Sequence, residues 1–323
     1  MSTHLVCALL ITAISSGAFA QTSLEQQAEK EQGLILYNQN KAVSAAPFLT
    51  VAAQAGDHEA QYFLGECLRK KNHYMNLEAR KWYEASAAQG DLYAMIQLGR
   101  SENLCELSQD CPTRKKTPIE WLNEAQRLAK PKAEQGDAEA MFIMYQLTID
   151  QDWLEKSANA GNAIAQYWMA IGEQEGSGVF LLPWKRSESI AKWLKASSEG
   201  GYPKAMMAYV AALYKEGDMA GVRHWLEEAA KTGEQNAVST YGAYLTHTPD
   251  RVGYPLDLVK GYGLVSLLKE LDGGGSAQVY LEEKLPEIAA KMTPEQIKEA
   301  NEFAKNWKAT HPPLSFFPEK LSR

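Results

Sequence analysis

The sequence is short of cysteine, with four in 323 residues, and short of histidine, with six. It has no basic surplus: the formal net charge is −7 and the isoelectric point is near 5.5. That balance argues against a broad phosphate-binding surface, because nucleic-acid binders carry a basic stripe. A partner with a basic contact patch suits an acidic chain better. No segment reaches the run of about 20 apolar residues that a membrane-spanning helix needs. Stable membrane insertion is therefore not expected.

Catalytic patterns are also missing. His58, His73, His224, His247 and His311 are scattered, with no i,i+4 pair and no cysteine at zinc-ligand spacing. The run Gly273 to Gln278, GGGSAQ, lacks the second glycine of a nucleophile elbow and the strand that should precede its serine. Glu175 to Phe180, EGSGVF, lacks the Lys-Ser/Thr ending of a phosphate loop. Adjacent acids such as Glu227-Glu228 and Glu282-Glu283 point about a third of a turn apart on a helix and cannot converge on one reacting atom. The expectation is a non-catalytic protein without metal or cofactor.

What is present begins with residues 1–20, which hold no Asp, Glu, Lys or Arg and end in Ala18-Phe19-Ala20. This small-x-small ending predicts a secretory signal peptide cut before Gln21 and a periplasmic mature chain, residues 21–323. Cys7 follows Val6 rather than the small residue that lipid attachment expects. In an oxidising compartment, Cys105 and Cys111 predict a disulfide that closes a small loop. Cys67 reads as a small buried hydrophobe.

The strongest signal is a repeat. Aligning the chain on Gly56, Gly90, Gly136, Gly161, Gly201, Gly233 and Gly273 places alanine four residues later every time, at 60, 94, 140, 165, 205, 237 and 277. Eight residues before each glycine stand Phe48, Trp82, Leu128, Trp153, Trp193, Trp225 and Val265. Eight after stand Leu64, Leu98, Met144, Met169, Tyr209, Tyr241 and Leu281. The glycines are 34, 46, 25, 40, 32 and 40 residues apart, which brackets the period of stacked helix pairs with loop insertions. Each glycine predicts a helix stop at positive φ. Asp57, Asp91, Asp137 and Asn162 predict caps on the helices that follow. The alanines allow close helix approach, and the Trp and Leu columns are read as core wedges between units.

The pattern W-x-x-x-A-A-x-x-G-[DN]-x-x-A-x-x-x-L-G, as in WYEASAAQGDLYAMIQLG from Trp82 to Gly99, resembles the Sel-one-like repeat of the tetratricopeptide superfamily. The resemblance covers roughly Ala42 to Trp307. It implies an all-α fold, a right-handed α/α superhelical solenoid of about seven helix-pair repeats in one array, closed by a capping helix near 293–308 with Thr293 as N-cap and Pro294 at the first helical position.

With no catalytic residues, function is assigned to a surface. Three inserted loops carry the candidate contacts. The first, Ser101 to Pro118, joins the expected disulfide to a basic TRKK tip. The second, Gly176 to Ser189, has a G-x-G-V turn followed by Phe180, Leu181, Leu182 and Trp184 beside Lys185 and Arg186, the composition of a contact hot spot. The third, Thr246 to Tyr262, offers Asp250, Arg251, Tyr254 and Asp257. The predicted partner-binding residues are Phe180, Leu181, Trp184, Lys185, Arg186, Asp250, Arg251 and Tyr254. An exported array without catalytic residues resembles periplasmic immunity proteins that neutralise type VI secretion lipase effectors; a periplasmic scaffold or regulator of envelope proteins is the alternative.

Overall fold

The computed structural model describes residues 12–101, 116–271 and 276–321. Its described residues form sixteen α-helices, one 3-10 turn and no strand. The order is α1 (Thr12–Asn38), α2 (Ala42–Gln54), α3 (His58–Asn72), α4 (Leu77–Ala88), α5 (Leu92–Arg100), α6 (Pro118–Glu134), α7 (Ala138–Thr148) and α8 (Gln151–Asn159). There follow α9 (Ala163–Gln174), α10 (Pro183–Glu199), α11 (Pro203–Glu216), α12 (Met219–Lys231), α13 (Gln235–Leu245) and α14 (Leu258–Ser266). The 3-10 turn Leu267–Glu270 precedes α15 (Ser276–Ala289) and α16 (Pro294–Thr310). Contacts divide the chain into two compact units, residues 1–121 and 122–323. The expected cleavage point before Gln21 falls within the backbone span of α1.

Seven helix pairs, α2/α3 through α14/α15, follow the seven glycines, and the fold is the all-α helix-pair solenoid. Six of those glycines are described, and their φ values lie between +82° and +98°. Gly90 shows why. Its amide donates to Ala87 O at 2.9 Å and the Asp91 amide donates to Ser86 O at 3.3 Å. These are the two reverse bonds that end a helix with a left-handed residue, a conformation that a Cβ opposes. The same pair of bonds recurs at Gly56, Gly136, Gly161 and Gly201.

The residue after the glycine then caps the next helix. Asp57, Asp91, Asp137 and Asn162 accept from the amides of Ala60, Ala94, Ala140 and Ala165 at 2.7–2.9 Å. The alanine column thus has two causes: its amide takes the cap, and its small side chain lies in the closely packed corner. Six of its seven members are buried, while Ala277 of the irregular seventh pair is half-buried. Tyr202 makes no side-chain cap, and Pro203 at the first turn leaves one fewer amide in need of a partner.

A serine column, not anticipated from the sequence, joins successive pairs. Ser86 donates to His58 O at 2.8 Å, Ser157 to Ala138 O at 2.7 Å and Ser197 to Ala163 O at 2.5 Å. Each serine stands four residues before a corner glycine and reaches the carbonyl two residues after the preceding one.

The tryptophan column corrects the expectation of core wedges. Trp82, Trp153, Trp193 and Trp225 are all half-buried. The next residue in each case, Tyr83, Leu154, Leu194 or Leu226, holds the core position. One residue is 100° of helix rotation, which moves the indole to the rim of the buried stripe. There Lys81, Lys156 and Lys192 place their ammonium groups 5.1, 4.8 and 5.6 Å from the rings of Trp82, Trp153 and Trp193. The closing helix α16 begins as expected: Thr293 and Gln296 form a reciprocal capping box with Pro294 in the first turn.

Candidate functional site

The second loop is built by its own backbone and one arginine. Gly176 and Gly178 have φ of +110° and +76° and turn the chain out of α9. Arg186, in the first turns of α10, folds back under that turn. Its guanidinium donates to the carbonyls of Glu173 at 2.5 Å, Ser177 at 2.7 Å, Gly178 at 3.2 Å and Gly176 at 3.5 Å. The Phe180 ring lies 4.7 Å from the same guanidinium. A planar guanidinium presents five donors in a fixed fork, against three on a compact ammonium, which suits it to carbonyls spread along a turn.

The consequence is an apolar tip held in a fixed shape. Val179 and Leu181 are each 95% exposed, Trp184 is 54% exposed and Leu182 is 41% exposed. Four large apolar side chains within six residues, all facing water on a braced loop, form the clearest contact surface among the described residues. The expected contact set is thereby sorted. Leu181 and Trp184 are presented, and Lys185 is exposed and paired with Glu188 at 2.8 Å. Phe180 and Arg186 hold the tip from beneath, both engaged within the loop.

The third loop holds together in a different way. The Tyr254 ring is 7% exposed and packs 5.3 Å from Tyr241, and its hydroxyl donates to Arg223 O at 3.0 Å. It fastens the loop to α12 and leaves little of its surface exposed. His247 reaches Tyr254 O at 2.8 Å, and its other ring nitrogen lies 3.7 Å from Asp250. Asp257 caps α14 through the Lys260 amide at 2.9 Å, so it is engaged with backbone. Asp250 and Arg251 remain exposed. Cys105, Cys111 and residues 113–115 of the basic tip lie outside the described residues, while Lys116 of that tip places its ammonium 4.5 Å from the Trp121 ring.

Sequence reasoning missed a buried polar hub in the first unit. Glu66 has no exposed surface, and its carboxylate accepts from Tyr83 OH at 2.6 Å, Gln97 Nε2 at 2.6 Å, Arg69 Nη2 at 2.9 Å and Tyr37 OH at 3.3 Å. Four donors from α1, α3, α4 and α5 occupy the acceptor sites of the carboxylate, leaving none for a substrate. Burial, then the adjacent Glu66 charge, pushes the neighbouring Cys67 thiol up to about 12, so it is an unreactive neutral thiol. The hub is structural. A signal existed in the sequence: Glu66 lies three residues after Phe63 on the buried stripe of α3, with Arg69 one turn beyond.

Among the described residues no helix is long and apolar enough to cross a membrane, and no three His, Cys, Asp or Glu side chains gather as a metal site.

The corner geometry defines the class, an all-α array of helix pairs. No family model matches the chain, and no curated protein matches it. Solved structures with similar folds include c5321 of uropathogenic Escherichia coli, a protective antigen displaying an SLR fold, at TM-score 0.47 and 17% identity over 88% of this chain. The chain spans 61% of the length of that protein. A Sel1 repeat protein from Oxalobacter formigenes is similar at TM-score 0.40 and 20% identity, over 91% of this chain and 89% of its own. PilF of Pseudomonas aeruginosa is similar at TM-score 0.29 and 14% identity, over 84% of this chain and 100% of its own.

Proposed function

We propose that this chain is an exported protein-binding solenoid and that Val179, Leu181, Leu182 and Trp184 are its principal contact. The observation that carries the reading is the braced apolar tip. Free side chains of this size in water cost free energy that burial in a partner recovers, about 1.5–3 kcal/mol for each one fully covered. The Arg186 bracing keeps the ordering cost of binding low. The acidic net charge favours a partner with a basic rim around an apolar pocket.

In its finer form the proposal makes the chain a periplasmic immunity protein that binds a type VI secretion phospholipase effector and occludes its substrate entry. It is supported by the signal-like residues 1–20, the helix-pair array and the presented loop. The test is co-expression with secreted lipases encoded beside this chain. Growth rescue by the wild type, lost with Trp184→Ala while the variant stays folded, is the expected result. Continued killing with well-folded wild-type protein would overturn the immunity assignment. Trp184→Ala should weaken a purified complex by 30-fold or more, as expected for a central aromatic anchor of about 2 kcal/mol; equal affinity of wild type and variant would remove the loop from the interface.

A further inference from the structure

A second surface lies at the starts of α11 and α13. The segment that follows α16, His311 to Leu321, turns back as extended chain across these helix starts. The Ser315 amide donates to Gly233 O at 2.9 Å, and the Gln235 amide donates to Ser315 O at 3.1 Å, a parallel bridge with Glu234 between them. Leu314 is 4% exposed and joins the core of this unit, with Phe316 packed beside it. Four residues past Ser315, the Glu319 carboxylate lies 3.4 Å from Tyr202 OH and 3.8 Å from Lys204 Nζ. Tyr202 in turn meets Tyr167 of α9 edge-on at 5.3 Å.

The two corners read the segment in different ways for a physical reason. At the Gly233 corner the second residue is Gln235, whose amide is available to a strand. At the Gly201 corner the second residue is Pro203, which has no amide to offer. Backbone pairing therefore occurs at the first, and recognition passes to the phenol and ammonium of Tyr202 and Lys204 at the second. The Gly233 corner is also unlike the five others described. Its Glu234 amide is held by the Thr232 hydroxyl at 3.3 Å, not by the carbonyl bond that the other corners share.

We infer that this edge is a peptide-binding ledge and that residues 311–321 occupy it in cis, in the place of an extended partner segment that carries one carboxylate five residues after an apolar side chain. The ledge reads three things: a free backbone amide and carbonyl, an apolar side chain just before them, and a carboxylate five residues after the apolar one. Backbone pairing of this kind tolerates many sequences, while the apolar seat and the carboxylate supply selectivity. The strap leaves α16 through His311, Pro312 and Pro313, and both prolines are exposed and have no amide to bond. Its hold thus rests on the bridge, Leu314 with Phe316, and a half-exposed ion pair. An incoming segment of the same chemistry can replace each of these. This surface is separate from the Val179–Trp184 loop, and its test does not depend on a toxin partner.

The probe is a labelled peptide of residues 311–321, HPPLSFFPEKL, titrated by fluorescence anisotropy against the full chain. The variant Ser315→Pro removes the amide that bonds Gly233 O and loosens the strap; Glu319→Gln is a milder second variant that keeps the backbone unchanged. At least ten-fold tighter probe binding by Ser315→Pro than by wild type is expected, with a smaller gain for Glu319→Gln. Adding Lys204→Glu to Ser315→Pro should weaken the probe about five-fold, and a probe carrying Gln at the Glu319 position should lose the same factor. Equal probe binding by wild type and both strap variants, or none by any chain of native circular dichroism, overturns the proposal. Light scattering that finds a strap-exchanged dimer refusing the probe would assign the ledge to a second copy and overturn it equally.

Discussion

Replacing Arg186 tests the argument that the apolar tip is held in advance of binding. Its two short bonds, to Glu173 O at 2.5 Å and Ser177 O at 2.7 Å, carry most of the bracing. A charge-assisted bond contributes about 1.5–3 kcal/mol, and the lower end applies because the guanidinium is partly exposed. Contact with the Phe180 ring adds about 0.5 kcal/mol. Arg186→Met therefore removes about 3.5 kcal/mol from the closed loop, and Arg186→Lys, which keeps one bond, about 2 kcal/mol. At about 1.4 kcal/mol per factor of ten, local opening should rise about 300-fold for Met and about 30-fold for Lys. Native-state hydrogen exchange reads this directly. The amides of Glu175, Gly176 and Ser177 bond to Ile171 O, Glu173 O and Gly172 O at 2.9, 3.2 and 2.8 Å and report the turn. Their protection should fall by those factors while the Asn162 amide, bonded to Ser157 O at 3.1 Å, stays unchanged. Unaltered protection at the three turn amides in Arg186→Met would refute the bracing, as would an equal loss at Asn162.

Four further outcomes follow from the packing. Glu66→Gln leaves Arg69 without its buried counter-charge and should cost about 3–5 kcal/mol, seen as a large fall in the thermal midpoint of the first unit. Ser86→Ala, Ser157→Ala and Ser197→Ala should each cost about 1 kcal/mol in denaturant titrations, since each removes one buried bond between pairs. Gly233→Ala should destabilise more than Gly90→Ala: both place a Cβ at positive φ, worth about 1 kcal/mol, but at Gly233 it also meets Pro313 O at 2.5 Å, whereas at Gly90 nothing lies within 4 Å. Burial raises the Glu234 carboxyl above its ordinary value despite the Ala237 amide it caps, so its favourable contribution is full below the unfolded pKa and is lost as pH rises through the folded one; Glu234→Gln should gain stability over wild type near pH 7, with the gap closing on acidification.

The parts of this fold visible in the sequence are those where the backbone dictates the residue. A left-handed helix stop selects glycine, a free first-turn amide selects Asp or Asn, and a tight corner selects alanine, so these columns repeat and can be counted. The tryptophan column repeats as well, yet periodicity finds a face only to within a residue, and one residue separated the half-buried indoles from Tyr83, Leu154, Leu194 and Leu226. Residue type alone does not show what the loop side chains hold: Tyr254 donates to the backbone of α12, and Arg186 donates to the carbonyls of its own loop. The strap left no periodic trace, because Glu319 meets Tyr202 across 117 residues of chain. Contacts of that kind belong to no repeat and become visible only in three dimensions.

One consequence of the corner unites the stack and the ledge. The reverse bonds that end the first helix use the amide of the glycine and, at five of the six described corners, that of its successor, and they leave the glycine carbonyl to accept from outside the pair. At Gly56 that carbonyl accepts from Gln89 of the next pair at 2.9 Å, and Gln89 also donates to Gln61 Oε1 at 2.9 Å. At the Gly161 corner the equivalent of Gln89 is Gly200, where any Cβ would come within 2.9 Å of Ala163, and among the described residues Gln166 Oε1 is buried with no partner. At Gly233 the same carbonyl accepts from Ser315 at 2.9 Å. A side chain of the neighbouring pair and the backbone of an extended segment thus use one acceptor, fixed by the turn and independent of the residues around it. Repeating the corner repeats the acceptor, and this is how an array built to stack on itself comes to hold a strand along its edge.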